Sequence, residues 1–476
     1  RAEPLPDIRH GVTKIAMRGD RLFYETEPKE SIDGATPDGG ERSLFSYDIA
    51  ARKSQLIQRK YAALTLSYDG AFMLWQSGHD WFIAGAGPKS EPHKLAVDAM
   101  TAFVTPPREW AAMFNEAWRL ERDFFYNPMM NGVDWNQVHA SYEKLVPLLG
   151  ASSDFGYLLG QLQGELANSH TYAQSVGEPP GRRFPTALIG ADFALDAASG
   201  RYRLAHVLRG DNARPAYRAP LAQPGMNVHD GEYLLAVDGE DLRAPTDPYS
   251  LFVGRNGPLT LTIAPSIDGK KRDVTVEPVE SELSLREAEW IRHNRETVDR
   301  LSHGQIAYIY LSDMSGLGMQ QFIRQFYTQL DRKAVIIDDR WNGGGFIDEI
   351  LLERLRRVLD GMDVTRQGVG RSIPQQLIVG PKVTLINHYS ASNGDMFPFY
   401  FRDYKLGKLI GTRTWGGVRG IRGMWPLLDG STISIPETAL YDRKSQWVIE
   451  NHGVDPDIDI ENEPADLLAG HDAQLE

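Results

Sequence analysis

Three consecutive glycines, Gly343-Gly344-Gly345, stand between the apolar run Ala334-Val335-Ile336-Ile337-Asp338 and a helix-spaced set of Ile347, Ile350, Leu351, Leu355 and Val358. A short β-branched run bounded by turn residues reads as a buried strand, and apolar residues three and four apart read as one helix face. Strand, glycine turn and helix in that order imply a parallel sheet, because parallel neighbours need a crossover and a helix usually supplies it. The alternation repeats. Ile306 to Leu311 is a strand, Met319, Phe322, Ile323, Phe326, Tyr327 and Leu330 line a helix, and Val383 to Ile386 and Lys408 to Gly411 are further strands. Beyond about residue 303 the chain is therefore expected to be α/β with a mostly parallel sheet.

Active sites of such sheets assemble at the C-terminal ends of the strands, which is where the glycine turn falls. A second turn of the same kind follows Val383 to Ile386: Asn387-His388-Tyr389-Ser390-Ala391-Ser392-Asn393-Gly394, leading into the aromatic run Phe397 to Phe401. Ser392 then sits at a strand-to-helix turn, with its hydroxyl toward a cleft and free N–H groups of a helix start beside it, as an attacking serine requires. Serine before a helix also serves as a plain cap, so the residue needs partners. The glycine turn has two readings, a phosphate cradle or a presenter of N–H groups to an oxyanion. Neither G-x-G-x-x-G nor G-x-x-x-x-G-K-[ST] is present, which weakens the first.

Upstream the pattern changes twice. Residues 1–104 read as short strands with turns at Gly19-Asp20 and Asp69-Gly70, the closing blades of a propeller or a small sandwich, with Ser31 to Arg42 a loop or disordered insert. Pro106-Pro107 opens a helical stretch, 105–180, in which Trp110, Phe114, Ala117, Trp118 and Phe125 recur at helix spacing. A second helix, capped by Ser153 or Asp154, places Phe155, Leu158, Leu159, Leu162 and Leu166 on one face, and Gly156, Gly160 and Gly164 leave room for a neighbour. Ser169-His170 emerges beyond its last turn, where a histidine commonly caps or packs. From 181 to 285 short strands return, with a hairpin at Asp238-Gly239; Gly231-Glu232-Tyr233-Leu234-Leu235-Ala236-Val237-Asp238-Gly239 resembles a PDZ domain, a fold that takes peptide ends by strand addition. The last segment, 286–476, carries the α/β pattern.

Charge and composition exclude several partners. With 51 Lys+Arg against 64 Asp+Glu the net charge is −13, which argues against nucleic acid and anionic membrane surfaces. No apolar run is long enough to span a bilayer and no secretion signal is evident, so membrane insertion is not expected. Arg1 in place of methionine leaves room for a removed leader or a missing N-terminal part, so the compartment reads as cytoplasmic with the periplasm as the alternative. Zero cysteines exclude disulfides and thiol catalysis. The carboxylates from Asp455 to Glu461 alternate without a histidine pair, so neither a metal nor any cofactor is expected.

Asp338-Asp339-Arg340-Trp341-Asn342-Gly343-Gly344-Gly345 resembles the D-x-R-x-N-x-G-G turn of the C-terminal-processing and tricorn serine peptidases, and Ser390-Ala391-Ser392 resembles their nucleophile segment. The resemblance implies Ser392 as nucleophile and the N–H groups of Gly345 and Asn393 as oxyanion donors, with Gly344 the alternative to Gly345. Processing peptidases use a lysine in a T-F-G-K segment; here Thr414-Trp415-Gly416-Gly417 has glycine in its place. Gly164-Glu165-Leu166-Ala167-Asn168-Ser169-His170-Thr171-Tyr172 is similar to the tricorn segment that carries the histidine, which implies His170 as general base, oriented through Ser169 by Glu450. Asp363 matches the tricorn aspartate that receives a basic P1 side chain. The resemblance further implies a crotonase-like α/β catalytic domain, peptide substrates, a homo-hexamer and propellers of which this chain has only the last blades. Two rivals remain open: a non-catalytic binding protein on the same fold, and a processing peptidase acting on unfolded proteins, for which Lys444 is the sole nearby replacement lysine.

Overall fold

Two units divide the chain, Arg1–Val104 and Thr105–Glu476. The computed structural model describes residues 11–18, 21–27, 42–87, 90–176, 184–212, 214–255 and 257–476; the turn at Gly19-Asp20 and all of the Ser31 to Arg42 insert except Arg42 lie outside them. In the first unit β1 (Gly11–Arg18), β2 (Arg21–Glu27), β3 (Ser43–Asp48) and β4 (Lys53–Arg59) form one antiparallel sheet, and β5 (Ala63–Leu66), β6 (Phe72–Ser77), β7 (Asp80–Gly85) and β8 (His93–Leu95) a second. Each pairs in sequence order, as short connections dictate, and is a four-stranded meander of the kind that makes a propeller blade. Phe23, Leu44, Tyr61, Met73 and Trp75 form their common core.

The second unit begins with α1 (Pro106–Phe124), where the paired prolines sit at the first positions because no N–H is needed there. It is followed by α2 (Trp135–Tyr142) and α3 (Ser152–Gly164). The α3 start differs by a residue or two from expectation: the Asp154 carboxylate accepts the N–H groups of Gly150 (3.1 Å) and Ala151 (3.0 Å) from inside the first turn. Its predicted apolar face is buried throughout. Among the described residues, Gly156 alone of its three glycines meets a neighbour, Ser175, whose Oγ lies 2.8 Å from where a Cβ would stand. That neighbour directly follows β9 (Ala173–Gln174).

Next come β10 (Ala191–Asp196), β11 (Arg201–Val207), β12 (Tyr233–Val237), β13 (Glu240–Asp241), β14 (Leu259–Ala264) and β15 (Arg272–Val276), an antiparallel sheet in the order β10-β11-β12-β14-β15 with β13 paired to β12. The β12–β13 turn is the expected one: Asp238 and Gly239 both have positive φ, 49° and 81°, as a two-residue hairpin of matching twist needs.

The remainder is α4 (Leu283–Leu301), β16 (Ile306–Tyr310), α5 (Gly316–Phe326), β17 (Ala334–Asp338), α6 (Asp348–Leu355), the hairpin β18 (Gly361–Val364) and β19 (Gly370–Ile373), β20 (Lys382–Ile386), α7 (Asn393–Asp403), β21 (Gly407–Gly411), β22 (Met424–Pro426), β23 (Thr432–Ser434), β24 (Ile458–Asp459) and α8 (Pro464–Leu468). The sheet runs β16-β17-β20-β21-β24 and every neighbour pair is parallel. α6 is shorter than its sequence pattern: Leu351 and Leu355 are buried, whereas Ile350 and Val358 are exposed. β22 and β23 leave this sheet and pair with β9, so Leu427, Ile433 and Ile435 complete the core of α1 to α3. Two segments more than 250 residues apart thus share one core. Among the described residues no helix is long and apolar enough to cross a membrane.

Candidate active site

Ser392 is the residue before α7, at the C-terminal end of β20, with φ 59° and ψ −117°. That backbone region is costly for any residue with a Cβ and persists only where the surroundings impose it, as in the strained turns that expose nucleophilic serines. The turn is imposed from both sides. Ala391 N–H donates to the Asn342 carbonyl (2.9 Å), and Ser390 Oγ, fully buried, donates to the Asp339 carbonyl (2.8 Å). Ser390 is thereby a strut, and Ser392 is the half-buried hydroxyl that lines a cavity of about 400 Å³.

The glycine turn reaches the same cavity. Gly345 has φ 149°, and a Cβ there would stand 2.1 Å from the Met314 carbonyl oxygen. Gly344 has φ 87°, and its Cβ would stand 2.5 Å from that of Ser392. Gly343 has open space around it, so two of the three glycines are sterically required. Their amides differ as well. Gly344 N–H donates to Asn342 Oδ1 (2.9 Å), so the amide of the alternative donor is already engaged. No hydrogen bond among the described residues takes the N–H of Gly345 or of Asn393, the first residue of α7, and both residues line the cavity.

His170 lines the cavity from the other side, in the loop after α3, with φ 58°. Its carbonyl accepts from Ser434 Oγ (2.6 Å), which also accepts Tyr172 N–H (2.8 Å); Ser434 N–H in turn donates to the Tyr172 carbonyl (2.9 Å). Ser169 Oγ donates to Glu450 Oε2 (3.0 Å) and Ser169 N–H to Glu450 Oε1 (2.7 Å). With its one proton directed to the carboxylate, Ser169 Oγ at 3.1 Å from His170 Nδ1 is an acceptor. The network therefore assigns the proton to Nδ1 and the lone pair to Nε2. Burial lowers the His170 pKa from the ordinary imidazole value, and the Glu450 charge opposes that shift.

Family models match in the same order as these elements: the tricorn protease C1 domain at residues 106–164, the tricorn protease PDZ domain at 187–281 and peptidase family S41 at 305–460. The chain belongs to the tricorn protease family. It is 32% identical to tricorn protease homolog 1 of Streptomyces coelicolor, over all of this chain and 46% of that protein. It is 31% identical to the tricorn protease of Thermoplasma acidophilum, over 98% of this chain and 42% of that one. The crystal structure of the tricorn protease superposes with a TM-score of 0.86 at 29% identity, covering 98% of this chain and 45% of that chain. The chain thus spans less than half the length of these relatives.

Within this tricorn-type frame the lysine question has a steric answer. A Cβ on Gly417 would stand 2.1 Å from the Trp415 ring, and the N–H groups of Gly416 (2.8 Å) and Gly417 (3.3 Å) are held by the buried Asp395 carboxylate of α7. Burial pushes Asp395 up to about 6, with its Thr414, Gly416 and Gly417 hydrogen bonds pulling the other way. Lys444 is exposed and does not line the cavity. Asp363 is not brought there either. It lies beyond α6 in β18, exposed and opposite Arg371 of β19, in a hairpin that does not line the cavity.

Arg419, which no motif singled out, completes the His170 side. Its Nε bonds Asn168 Oδ1 (3.0 Å) and lies 3.8 Å from Glu450 Oε2, both side chains being nearly inaccessible. The guanidinium is flanked by the rings of Tyr126 and Trp447. A buried arginine two residues beyond a Gly-Gly turn leaves no periodic trace in sequence, and only its partners, scattered over more than 300 positions, identify it.

Proposed function

We propose that this chain carries the catalytic part of a tricorn-type serine peptidase that hydrolyses peptides through an acyl-enzyme. The observation that carries the reading is the relay Glu450–Ser169–His170, whose hydrogen-bond directions leave Nε2 basic in the cavity that Ser392 lines. Ser392 Oγ attacks the scissile carbonyl while His170 Nε2 takes its proton. The carbonyl π electrons move to oxygen, and that oxyanion receives the N–H groups of Gly345 and Asn393, each worth on the order of 3 kcal/mol of barrier. His170 returns the proton to the leaving amine as the C–N bond breaks. Water, deprotonated by His170, then attacks the ester, and the acid product leaves with Ser392 regenerated. Ser169 and Glu450 are positioning residues that hold the tautomer and offset the charge on the imidazolium. No lysine stands at Gly417, so the processing-peptidase route lacks its base.

A basic P1 residue, peptide-sized substrates and a homo-hexamer belong to the proposal through similarity to the tricorn family. Asp363 carries the basic preference, and because it lies on an exposed hairpin outside the cavity, that preference requires the carboxylate to reach the substrate from elsewhere. Labelling with a fluorophosphonate, followed by peptide mapping, tests the site, and a peptide panel with Arg, Lys or Leu at P1 tests the preference. The expected adduct is on Ser392. An adduct on Ser390, or none on folded protein, overturns the assignment, and equal rates for Arg and Leu remove the role given to Asp363.

A further inference from the structure

A second cavity, of about 220 Å³, lies between α4, α5 and the loop that follows β11, and among the described residues its charged lining side chains are four arginines: Arg214, Arg292, Arg295 and Arg324. In a chain of net charge −13 this concentration of cations is anomalous. Arg292 and Arg295 lie three apart on α4 and so share a helix face, where like charges repel. Arg214 enters from the PDZ-like segment with its guanidinium 3.6 Å from the Tyr217 ring centroid, a stack that fixes its plane. Arg324 comes from α5.

The local carboxylates leave part of this donor set unused, although Glu287 of α4 lies close enough to Arg214 and Tyr217 to act on both electrostatically. Glu289 and Glu296 flank Arg292 along α4. Asp211 serves both Arg214 and Arg324, each at 3.9 Å, beyond hydrogen-bond reach. Arg295 makes no ion pair among the described residues. Gln321 adds a neutral donor: its Oε1 already accepts from Ser312 N–H (2.8 Å) and Ser312 Oγ (3.0 Å), so its Nε2 is the end left for a ligand.

We propose that this cavity is a binding site for a small dianionic oxyanion, inorganic phosphate in size and charge. Planar guanidiniums match the oxygen spacing of phosphate and bind it through paired N–H donors, and an anion among converging arginines relieves the repulsion that the flanking carboxylates leave. The volume is below that of pockets for drug-sized ligands, roughly 300 Å³ and upward, which selects an ion over a larger molecule. The site touches the catalytic frame through Gln321, because the Ser312 carbonyl accepts Gly343 N–H (3.3 Å) in the glycine turn.

Calorimetric titration of the full chain with inorganic phosphate, with acetate and with phosphoserine at fixed ionic strength tests the site without reference to peptidase activity. Phosphate is expected to bind saturably, with acetate at least about tenfold weaker and phosphoserine weaker than the free ion. Arg295→Gln and Arg324→Gln should each weaken phosphate by about tenfold, and Asp211→Asn, which removes the competing carboxylate, should tighten it. The gain in the last variant guards against losses that reflect misfolding. No saturable binding below about 10 mM, or unchanged affinity in all three variants, overturns the proposal. Acetate binding equal to phosphate overturns the dianion class, and phosphoserine binding as tight as phosphate overturns the free ion as ligand.

Discussion

The two halves of the candidate site are held in different ways. Ser392 and its neighbouring amides sit on one continuous device, β17, the glycine turn, β20 and the start of α7, whose hydrogen bonds run between adjacent strands of a single sheet. His170 sits on a loop beyond α3 that has no sheet of its own and is fastened by Ser434, Glu450 and Arg419, residues about 250 to 280 positions downstream. A nucleophile and its oxyanion donors must be fixed relative to one another to a fraction of an ångström, so building them from one rigid element is efficient. The base must only reach the serine, and its tautomer can be set by long-range partners.

If that contrast is sound, damage to the serine half should appear as lost chemistry with specificity intact, and the sharpest cut is Gly345→Ala. The added Cβ would collide with the Met314 carbonyl at 2.1 Å and meet a backbone at φ 149°, so the amide must move away from the oxyanion position. The expected loss in kcat is about 10²- to 10³-fold, the range for one oxyanion donor. Gly343→Ala, with nothing within 4 Å, is the control and should retain activity. Steady-state kinetics on one fluorogenic peptide decide it, and equal losses in both variants would remove Gly345 from the site.

How much of this was legible in the sequence follows the same division. The serine half could be read, since a β-branched run, a glycine turn and a helix pattern are local signals, and Ser392, Asn393 and Gly345 all fall where those signals place strand ends. The choice between Gly344 and Gly345 could not, because it depends on which amide Asn342 Oδ1 captures in three dimensions. On the histidine half, Ser169, His170 and Glu450 were accessible only through resemblance. Ser434 and Arg419 were not accessible at all, as nothing local marks a serine in a short strand as the anchor of a loop 264 residues away. The ends of α3 and α6 differ from the pattern for a related reason: Asp154 caps from within its turn, and Val358, apolar but exposed, lies beyond the last helical residue, Leu355.

The histidine half should respond more mildly and in a different observable. Ser434→Ala removes the hydroxyl that bonds both the His170 carbonyl and Tyr172 N–H, at a cost of about 1–3 kcal/mol in stability. We expect kcat to fall by roughly tenfold with KM nearly unchanged, since substrate contacts are untouched. Burial now lowers the His170 pKa, so the rate should hold to a more acidic pH than an exposed imidazole would allow; a loosened, better solvated ring in Ser434→Ala moves that acid limb upward. A fall in kcat with an unmoved pH profile would mean that Ser434 acts on the fold and not on the base.

The last effect leaves the chemistry unchanged and concerns stability alone; it tests whether the shared core beneath His170 is as tightly closed as the contrast demands. Glu121 of α1 is fully buried against α3 and β23, accepting from Gln163 Nε2 (2.7 Å), which also donates to the Ser434 carbonyl (2.7 Å). Burial pushes its carboxyl up from 4.5 to about 7, with the Gln163 bond opposing. Below the unfolded value both states are protonated and the full stability is present. As pH rises the unfolded chain ionises first, so stability declines through the interval up to about 7 and then levels off. The total is on the order of 3 kcal/mol. Glu121→Gln keeps an acceptor for Gln163 but cannot ionise, so the difference in urea midpoint between about pH 5 and about pH 8 should shrink relative to the parent. Parallel pH profiles for the two proteins would mean that water reaches Glu121, and that the core joining the distant segments under His170 is looser than the one beneath Ser392.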